Sequence, residues 1–489
     1  MSPEHRRDIL SFRGRWAAAS GYREVLVLAG PLILSTGTMT VQQFINRVFL
    51  SWYSPEALAA SLPAGTLAFT MLCFFIGAAS YANTFVAQYH GSGQPQRIAA
   101  AVWQAIYLAL AASVLAVPLS LAAGPIFRLS GHAPGVVAQE ITYFRILVCG
   151  GGFSILASAV SAFFTGRGLT RTVMAVNVST ALLNVALDYL LIFGHGGLPR
   201  LGIAGAAYGS VLSSALGALV FVGLFLGGRD RHAYSVWAAR RFDGELFGRL
   251  LRFGAPSGLH FMLDLLGWSL FIIFVGRLGV RELGATNLAF QVNSLIFMPM
   301  IGMSIATATL VGQRLGENRP DAAARTTWSA FHLTFAYMSF FAIAYVLMPR
   351  VLLAPFGARA NPAEFAPLAD LAAPMLLFVA VYSLFDGVNL IFSAALKGAG
   401  DTLFIMLTSA GLGFGLMVLP TWLVCRTGHG NIWLAWGFLT LFIIALAGCY
   451  LGRFLQGKWR AMRVTESFHA PLTAVTPSPE VPLTDGEVI

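Results

Sequence analysis

The sequence predicts an all-α, polytopic membrane protein: twelve transmembrane helices in two six-helix lobes related by a pseudo-two-fold axis along the membrane normal. Three observations carry that expectation. The first is composition. Of 489 residues, 57% are hydrophobic and only 11% charged, with a mean hydropathy of +0.73, whereas soluble domains carry about a quarter charged residues. An ordinary water-soluble protein is excluded. The second is the recurrence of long apolar runs between about Val25 and Gln456, each able to cross a hydrocarbon core of roughly 30 Å. The third is an internal duplication.

Cutting the apolar runs at their Gly, Pro and charged interruptions centres the spans near residues 37, 70, 110, 150, 183, 214, 266, 298, 335, 381, 414 and 443. Residues 1–24 form a basic segment without the compact apolar core and cleavage site of a signal peptide, so the first apolar run is expected to remain as a span. Residues 25–227 then hold the first six spans, the Arg-rich stretch 228–249 reads as a linker, and 250–456 hold the second six. The remainder, 457–489, reads as a tail, and its Pro- and Thr-rich part from Val464 on has little that could pack and is expected to be disordered. An even number of spans puts both termini on one side. That side collects 22 of the 31 Lys and Arg residues against eight on the other, with Arg145 inside the fourth span, so both ends are expected in the cytoplasm, beneath an inner or plasma membrane.

Sliding the chain by 225 positions pairs Pro31 with Pro256, Gly77 with Gly302, Gln88 with Gln313, Gly91 with Gly316 and Trp103 with Trp328. A shift of 232 pairs Gly166, Gly168 and Thr170 with Gly398, Gly400 and Thr402. Each copy contains an even number of spans, so both enter the membrane in the same sense and are related by an axis near the membrane normal. Two such lobes around a central cleft suit alternating access.

Other function classes fit poorly. The net charge of +10 comes from basic residues scattered through short loops, not gathered into a nucleic-acid footprint. Cys73, Cys149, Cys425 and Cys449 lack metal or disulfide-framework spacing. There is no His-Glu-x-x-His, no clustered Ser/His/Asp arrangement and no phosphate-cradling loop, so an enzyme is not expected.

Asp188, Asp264 and Asp386 lie well inside apolar spans five, seven and ten. An ionised carboxylate there costs at least a few kcal/mol unless solvated or paired, which points to a cation or proton site, with a helix-packing hydrogen bond as the alternative. The duplication sharpens the choice: Asp264 faces Met39, Asp386 faces Ser154 and Asp188 faces Pro420 in the other copy. A residue needed for architecture would more often recur in both. His260 stands one turn before Asp264 on the same face, where it could bond the acid or be packed. Asn184 and Asp188, four apart, offer two oxygens on one helix face to a hard cation.

Together, the Pro-initiated first span, Glu56-Ala57-Leu58-Ala59-Ala60 with its counterpart Glu282-Leu283-Gly284-Ala285, the duplicated Gln88-x-x-Gly91 and Gln313-x-x-Gly316, Asn184-x-x-x-Asp188 and Leu396-Lys397-Gly398-Ala399-Gly400-Asp401-Thr402 resemble the multidrug and toxic compound extrusion (MATE) family. The resemblance covers about residues 22–456. It implies a V-shaped pair of lobes that exports organic, often cationic, compounds in exchange for Na⁺ or H⁺, with no further cofactor. By resemblance, Asp264 and Asp386 match the acids of the second-lobe cavity in Na⁺-coupled members, and Na⁺ or H⁺ and a cationic substrate would compete there. The family's acid at the end of the first span is matched here by Asn46, beside Arg47, which weakens the first-lobe cation site. Gln291, Asn293, Tyr382 and Asn389 are candidate cavity walls, and Phe290 and Phe385 are either stacking surfaces or ordinary packing. Gln88 and Gln313 either cap helices or close the inner gate. The expected partners are small organic cations and membrane lipid, with the chain acting as a monomer and no nucleic acid involved. The alternative is a flippase of the same superfamily for lipid-linked precursors. Such proteins line their cleft with several Arg or Lys, whereas the intramembrane charge here is chiefly acidic, Arg145 being the one candidate exception.

Overall fold

The structure, a computed structural model, describes residues 16, 18, 20–128, 131–228, 231–357, 362–426 and 431–466. Among the described residues, twelve helices are long and apolar enough to span a membrane: α1 (Tyr22–Tyr53), α2 (Pro55–Gly91), α3 (Pro95–Leu121), α4 (Pro134–Gly166), α5 (Thr170–Phe193), α6 (Ile203–Gly227), α7 (Gly244–Leu278), α8 (Val280–Gly316), α9 (Pro320–Leu347), α10 (Pro362–Ala399), α11 (Thr402–Arg426) and α12 (Ile432–Leu455). No strand occurs among the described residues. The duplication extends to detail: short helices Ala123–Arg128 and Pro349–Gly357 follow α3 and α9 respectively.

Local chemistry sets the ends. Ser54 accepts a hydrogen bond from the Ala57 N–H at 3.0 Å, and Pro55 occupies the first turn, where its missing N–H costs nothing. Asp243 caps α7 through the Leu246 N–H at 3.0 Å, and Asn431 caps α12 through the Trp433 N–H at 2.9 Å. Outward-facing side chains such as Val114, Leu182, Phe340 and Leu347 are exposed and apolar, as a lipid-facing surface requires. Each lobe has its own aromatic core, around Phe85, Phe163 and Phe225 in the first and Phe392, Trp436 and Tyr450 in the second.

The lobes meet through α1 against α8 and α2 against α7. Small residues permit this: a Cβ on Gly258 would stand 2.1 Å from the Phe74 carbonyl oxygen, and one on Gly254 2.8 Å from that of Ala78. This is the close backbone approach that glycines four apart allow between membrane helices. The contacts cluster toward the end of the bundle where α1 begins and α12 finishes. There Asn83 donates to Thr309 Oγ1 at 2.9 Å, Arg314 of α8 bonds Glu24 of α1, and, nearer mid-bundle, Thr36 donates to the Met298 carbonyl at 3.2 Å. The lobes are therefore sealed at the terminal end.

The chain boundaries differ from expectation in two places. Helix α7 begins at Gly244, several residues inside the stretch read as linker, because Asp243 supplies its cap. Residues 457–466, placed in the tail on composition, pack against the bundle instead. Trp459 is buried and stacks on Phe454, the buried Val464 donates its N–H to Gln88 Oε1 at 2.9 Å, and Glu466 bridges Arg97 and Arg249, each at 2.7 Å. One aromatic, one aliphatic and one acidic side chain suffice where each meets a prepared partner. Residues 1–15 and 467–489, which hold most of the basic N-terminal segment and of the expected disordered tail, lie outside the described residues.

Candidate functional site

A cavity of about 410 Å³ opens within the second lobe, and α7, α8, α10, α11 and α12 line it. Helix α7 contributes His260 and Asp264, spaced one turn apart. Helix α10 contributes Asp386, Asn389 and Lys397, the latter two standing three and eleven residues after Asp386, so that they form one stripe of a helix with 3.6 residues per turn. Helix α11 changes to a wider π-helical stretch at Gly413–Val418, where Gly413, Phe414 and Met417 reach the cavity wall; such turns often mark functional segments.

The polar groups in this cavity are connected. Ser409 of α11 donates to Asp264 Oδ1, and His260 Nε2 lies 3.3 Å from Asp264 Oδ2. The other ring nitrogen, His260 Nδ1, is 3.3 Å from the Lys397 ammonium. Asp386 accepts from Asn389 Nδ2 at 3.4 Å. No arginine pairs with Asp264 or Asp386 among the described residues, and both face a cavity large enough for a drug-sized molecule.

The structure thus brings together Asp264, Asp386, His260, Asn293, Asn389 and Phe290 on one wall system. It leaves out two of the four candidate walls and one of the two aromatics whose role was open. Gln291 is exposed and off the wall, since it sits two positions from Asn293 on a helix whose face turns 100° per residue. Tyr382 is buried in the second-lobe core, one turn from Asp386 but behind it. Phe385 does not line the cavity. Lys397 is the residue that sequence reasoning missed. The sequence offers it only within the Leu396–Thr402 string, yet its spacing of eleven from Asp386 places it on the same face three turns along.

The first lobe has a matching cavity of about 480 Å³, and its lining includes Met39 and Ser154, the counterparts of Asp264 and Asp386 under the two shifts. It is lined by hydroxyls, an amide and apolar groups with no charged side chain. Duplicated cavities have therefore acquired opposite character, one acidic and one neutral. Asp188 lies apart from that wall, fully buried with Asn184. The Asn184 amide is 2.8 Å from Gln42 Nε2; in the orientation that satisfies both its ends, its nitrogen lies 3.2 Å from Asp188 Oδ2 and 3.3 Å from Asn46 Oδ1. Asn46, Asn184 and Asp188 do meet, as a packed cluster within the lobe. Arg47, beside Asn46, is exposed.

Gln88 and Gln313 lie at the sealed end. Gln88 Nε2 donates to the Gly398 carbonyl at 2.9 Å, and Gln313 Nε2 donates to the Gly166 carbonyl at 2.8 Å. Those carbonyls belong to the last turns of α10 and α4, where no intrahelical donor remains. Each glutamine thus caps a helix of the opposite lobe, so the cap and the lobe contact are one interaction.

Comparison with known proteins agrees with this architecture. The MatE family profile matches residues 31–190 and 256–422, one segment in each lobe. The multidrug resistance protein NorM of Burkholderia vietnamiensis is 29% identical over 417 residues, covering 84% of this chain and 88% of that protein. The multidrug resistance protein PmpM of Pseudomonas aeruginosa is 27% identical over 426 residues, covering 84% and 87%. Among solved structures, a MOP superfamily transporter from Pyrococcus furiosus superposes with a TM-score of 0.78 at 18% identity, covering 90% of this chain and 97% of that one. An outward-facing multidrug resistance MATE family transporter superposes at 0.77 and 18% identity, covering 90% and 96%. With two thirds of its length matched by that profile and both halves folded alike, the chain belongs to the MatE family.

Proposed function

We propose that this protein is a secondary antiporter that exports small organic cations in exchange for Na⁺ or H⁺. The observation that carries this reading is the placement of Asp264 and Asp386 on one cavity wall without an arginine partner. Intramembrane carboxylates are costly unless they hold something, and a positively charged guest or a coupling ion would each offset that cost. The relatives named as multidrug resistance proteins support the substrate class. A flippase for anionic lipid-linked precursors fits less well, because the two carboxylates outnumber the single Lys397 ammonium in the cavity.

In this reading the termini are cytoplasmic, the protein works as a monomer in the inner or plasma membrane, and the sealed end is the cytoplasmic one. The cavities then face outward. Na⁺ or H⁺ entering at Asp264 and Asp386 displaces the bound cation, and the lobes rock about the α1–α8 and α2–α7 contacts. Opening inward breaks the Gln88 and Gln313 bonds, at a net cost of about 1 kcal/mol each, small enough for reversible cycling.

The test is ethidium transport by the full chain in proteoliposomes, with Na⁺ and H⁺ gradients imposed separately. Transport driven by at least one gradient, reduced roughly tenfold or more in Asp264→Asn and Asp386→Asn, equivalent to about 1.4 kcal/mol, is expected. If both variants pump like the wild type, the site is elsewhere; if neither gradient drives the wild type, the exchange reading fails.

A further inference from the structure

Among the described residues, Lys397 is the one lysine or arginine on the acidic cavity, and the exchange reading above does not use it. An ammonium group has three donors and no acceptor. Since Lys397 Nζ stands 3.3 Å from His260 Nδ1, that nitrogen must accept, which leaves the ring proton on Nε2. Nε2 in turn lies 3.3 Å from Asp264 Oδ2, so the ring's N–H edge sits against the carboxylate in electrostatic contact. The result is a chain from ammonium through a neutral ring to Asp264. Among the described residues no such link reaches Asp386, which accepts from the uncharged Asn389 amide.

The charged and titratable groups facing the cavity are His260 and Asp264 from α7 and Asp386 and Lys397 from α10; the described walls from α8, α11 and α12 supply only neutral side chains. The two carboxylates are therefore inequivalent. Asp264 has a resident counter-charge, and Asp386 does not.

We propose that Lys397 is a specificity-determining residue: a tethered cation that, through His260, offsets Asp264 and leaves the cavity with one uncompensated negative charge, matching it to one singly charged guest at a time. This rests on the exchange reading. Because α10 carries both Lys397 and Asp386, the offsetting charge and the open one are held in fixed register. Singly charged organic cations fit this site, and doubly charged ones leave a surplus positive charge in a low-dielectric pocket.

Ethidium and propidium share one aromatic core but carry one and two positive charges, and the change in their binding ratio between variants cancels the contribution of propidium's longer side chain. Binding of each to the purified full-length protein in detergent, read by fluorescence anisotropy, is compared for wild type, Lys397→Met, Lys397→Gln and Lys397→Arg. The wild type is expected to favour ethidium. Either neutral variant shifts the ratio roughly tenfold toward propidium, as removal of one nearby unit charge implies at an effective dielectric near 20, and Lys397→Arg retains the wild-type ratio. An unchanged ratio in both neutral variants, or an equal shift in Lys397→Arg, overturns the assignment while leaving the exchange reading intact. Dye binding indifferent to both Asp264→Asn and Asp386→Asn overturns both.

Discussion

Gln88 and Gln313 make the same bond in opposite directions across the lobe boundary, at 2.9 and 2.8 Å, each to the carbonyl of the glycine that the duplication pairs with the other's acceptor. The backbone repeats the symmetry. A Cβ on Gly91 would stand 2.0 Å from the Gln313 carbonyl oxygen, and a Cβ on Gly316 2.1 Å from that of Gln88. The pseudo-two-fold axis thus passes through a contact in which glutamines near the ends of α2 and α8 satisfy the orphan carbonyls of α10 and α4. The sealed state repeats, in side chains and backbone, the symmetry of the duplication.

Replacing either glutamine with leucine leaves a carbonyl at a helix end without its donor, at a cost of about 1–3 kcal/mol. Gln88→Leu and Gln313→Leu are each expected to move the population toward the state open at the terminal end. Spin-label distances between the α2–α3 and α8–α9 turns would lengthen in both variants. Unchanged distances in the double variant would show that the seal rests elsewhere.

Gly91→Ala and Gly316→Ala are expected to oppose closure more strongly, since the backbones must separate to admit a methyl group, and overpacking costs about 1–3 kcal/mol. Gly448→Ala, at a position with nothing within 4 Å, is the control. Thermal unfolding in detergent should drop for the first two and stay within a degree or two for the third.

Much of this was legible in the sequence. Span centres followed from apolar runs because a membrane helix is apolar all round and needs no fine periodicity. The shift by 225 aligned Gln88 with Gln313, and the structure makes them equivalent in space. What escaped was side-chain direction. Tyr382 and Gln291 lie in the right helices but on the wrong faces, and Lys397 lies at the right spacing from Asp386 although its sequence context marks only a helix end. The tail misled for a different reason: packing of Trp459, Val464 and Glu466 depends on a slot assembled from both lobes and the linker, which no local composition encodes.

Asp243 provides a pH test outside the membrane. The Leu246 N–H, together with Arg97, holds its carboxyl below the usual 3.8 despite partial burial. A carboxyl depressed in the folded state contributes stability above its unfolded value of about 3.9 and loses it as pH falls through the lower folded value. Asp243→Ala should therefore cost about 1 kcal/mol at neutral pH through the lost cap. The gap to wild type in thermal unfolding should shrink on acidification below about pH 4. A gap independent of pH would contradict the ionised cap.

The C-terminal segment separates burial from charge. Glu466 is partly exposed, so Glu466→Gln should cost less than about 1 kcal/mol despite losing two ion pairs. Val464 is fully buried, and Val464→Asp should cost about 3 kcal/mol or more by burying an unpaired charge. Chemical or thermal unfolding ranks the two directly. The reverse order would mean that the segment is held by its ion pairs.

The central claim is that a coupling ion and an organic cation occupy the same carboxylates in turn. Its most direct measurement is displacement of bound ethidium from the purified protein by Na⁺ at fixed pH and by protons at fixed Na⁺, in the wild type and in Asp386→Asn. Competitive displacement by at least one ion in the wild type, lost in Asp386→Asn, is the predicted result. Ethidium that stays bound, with unchanged affinity, across the full range of both ions would contradict it.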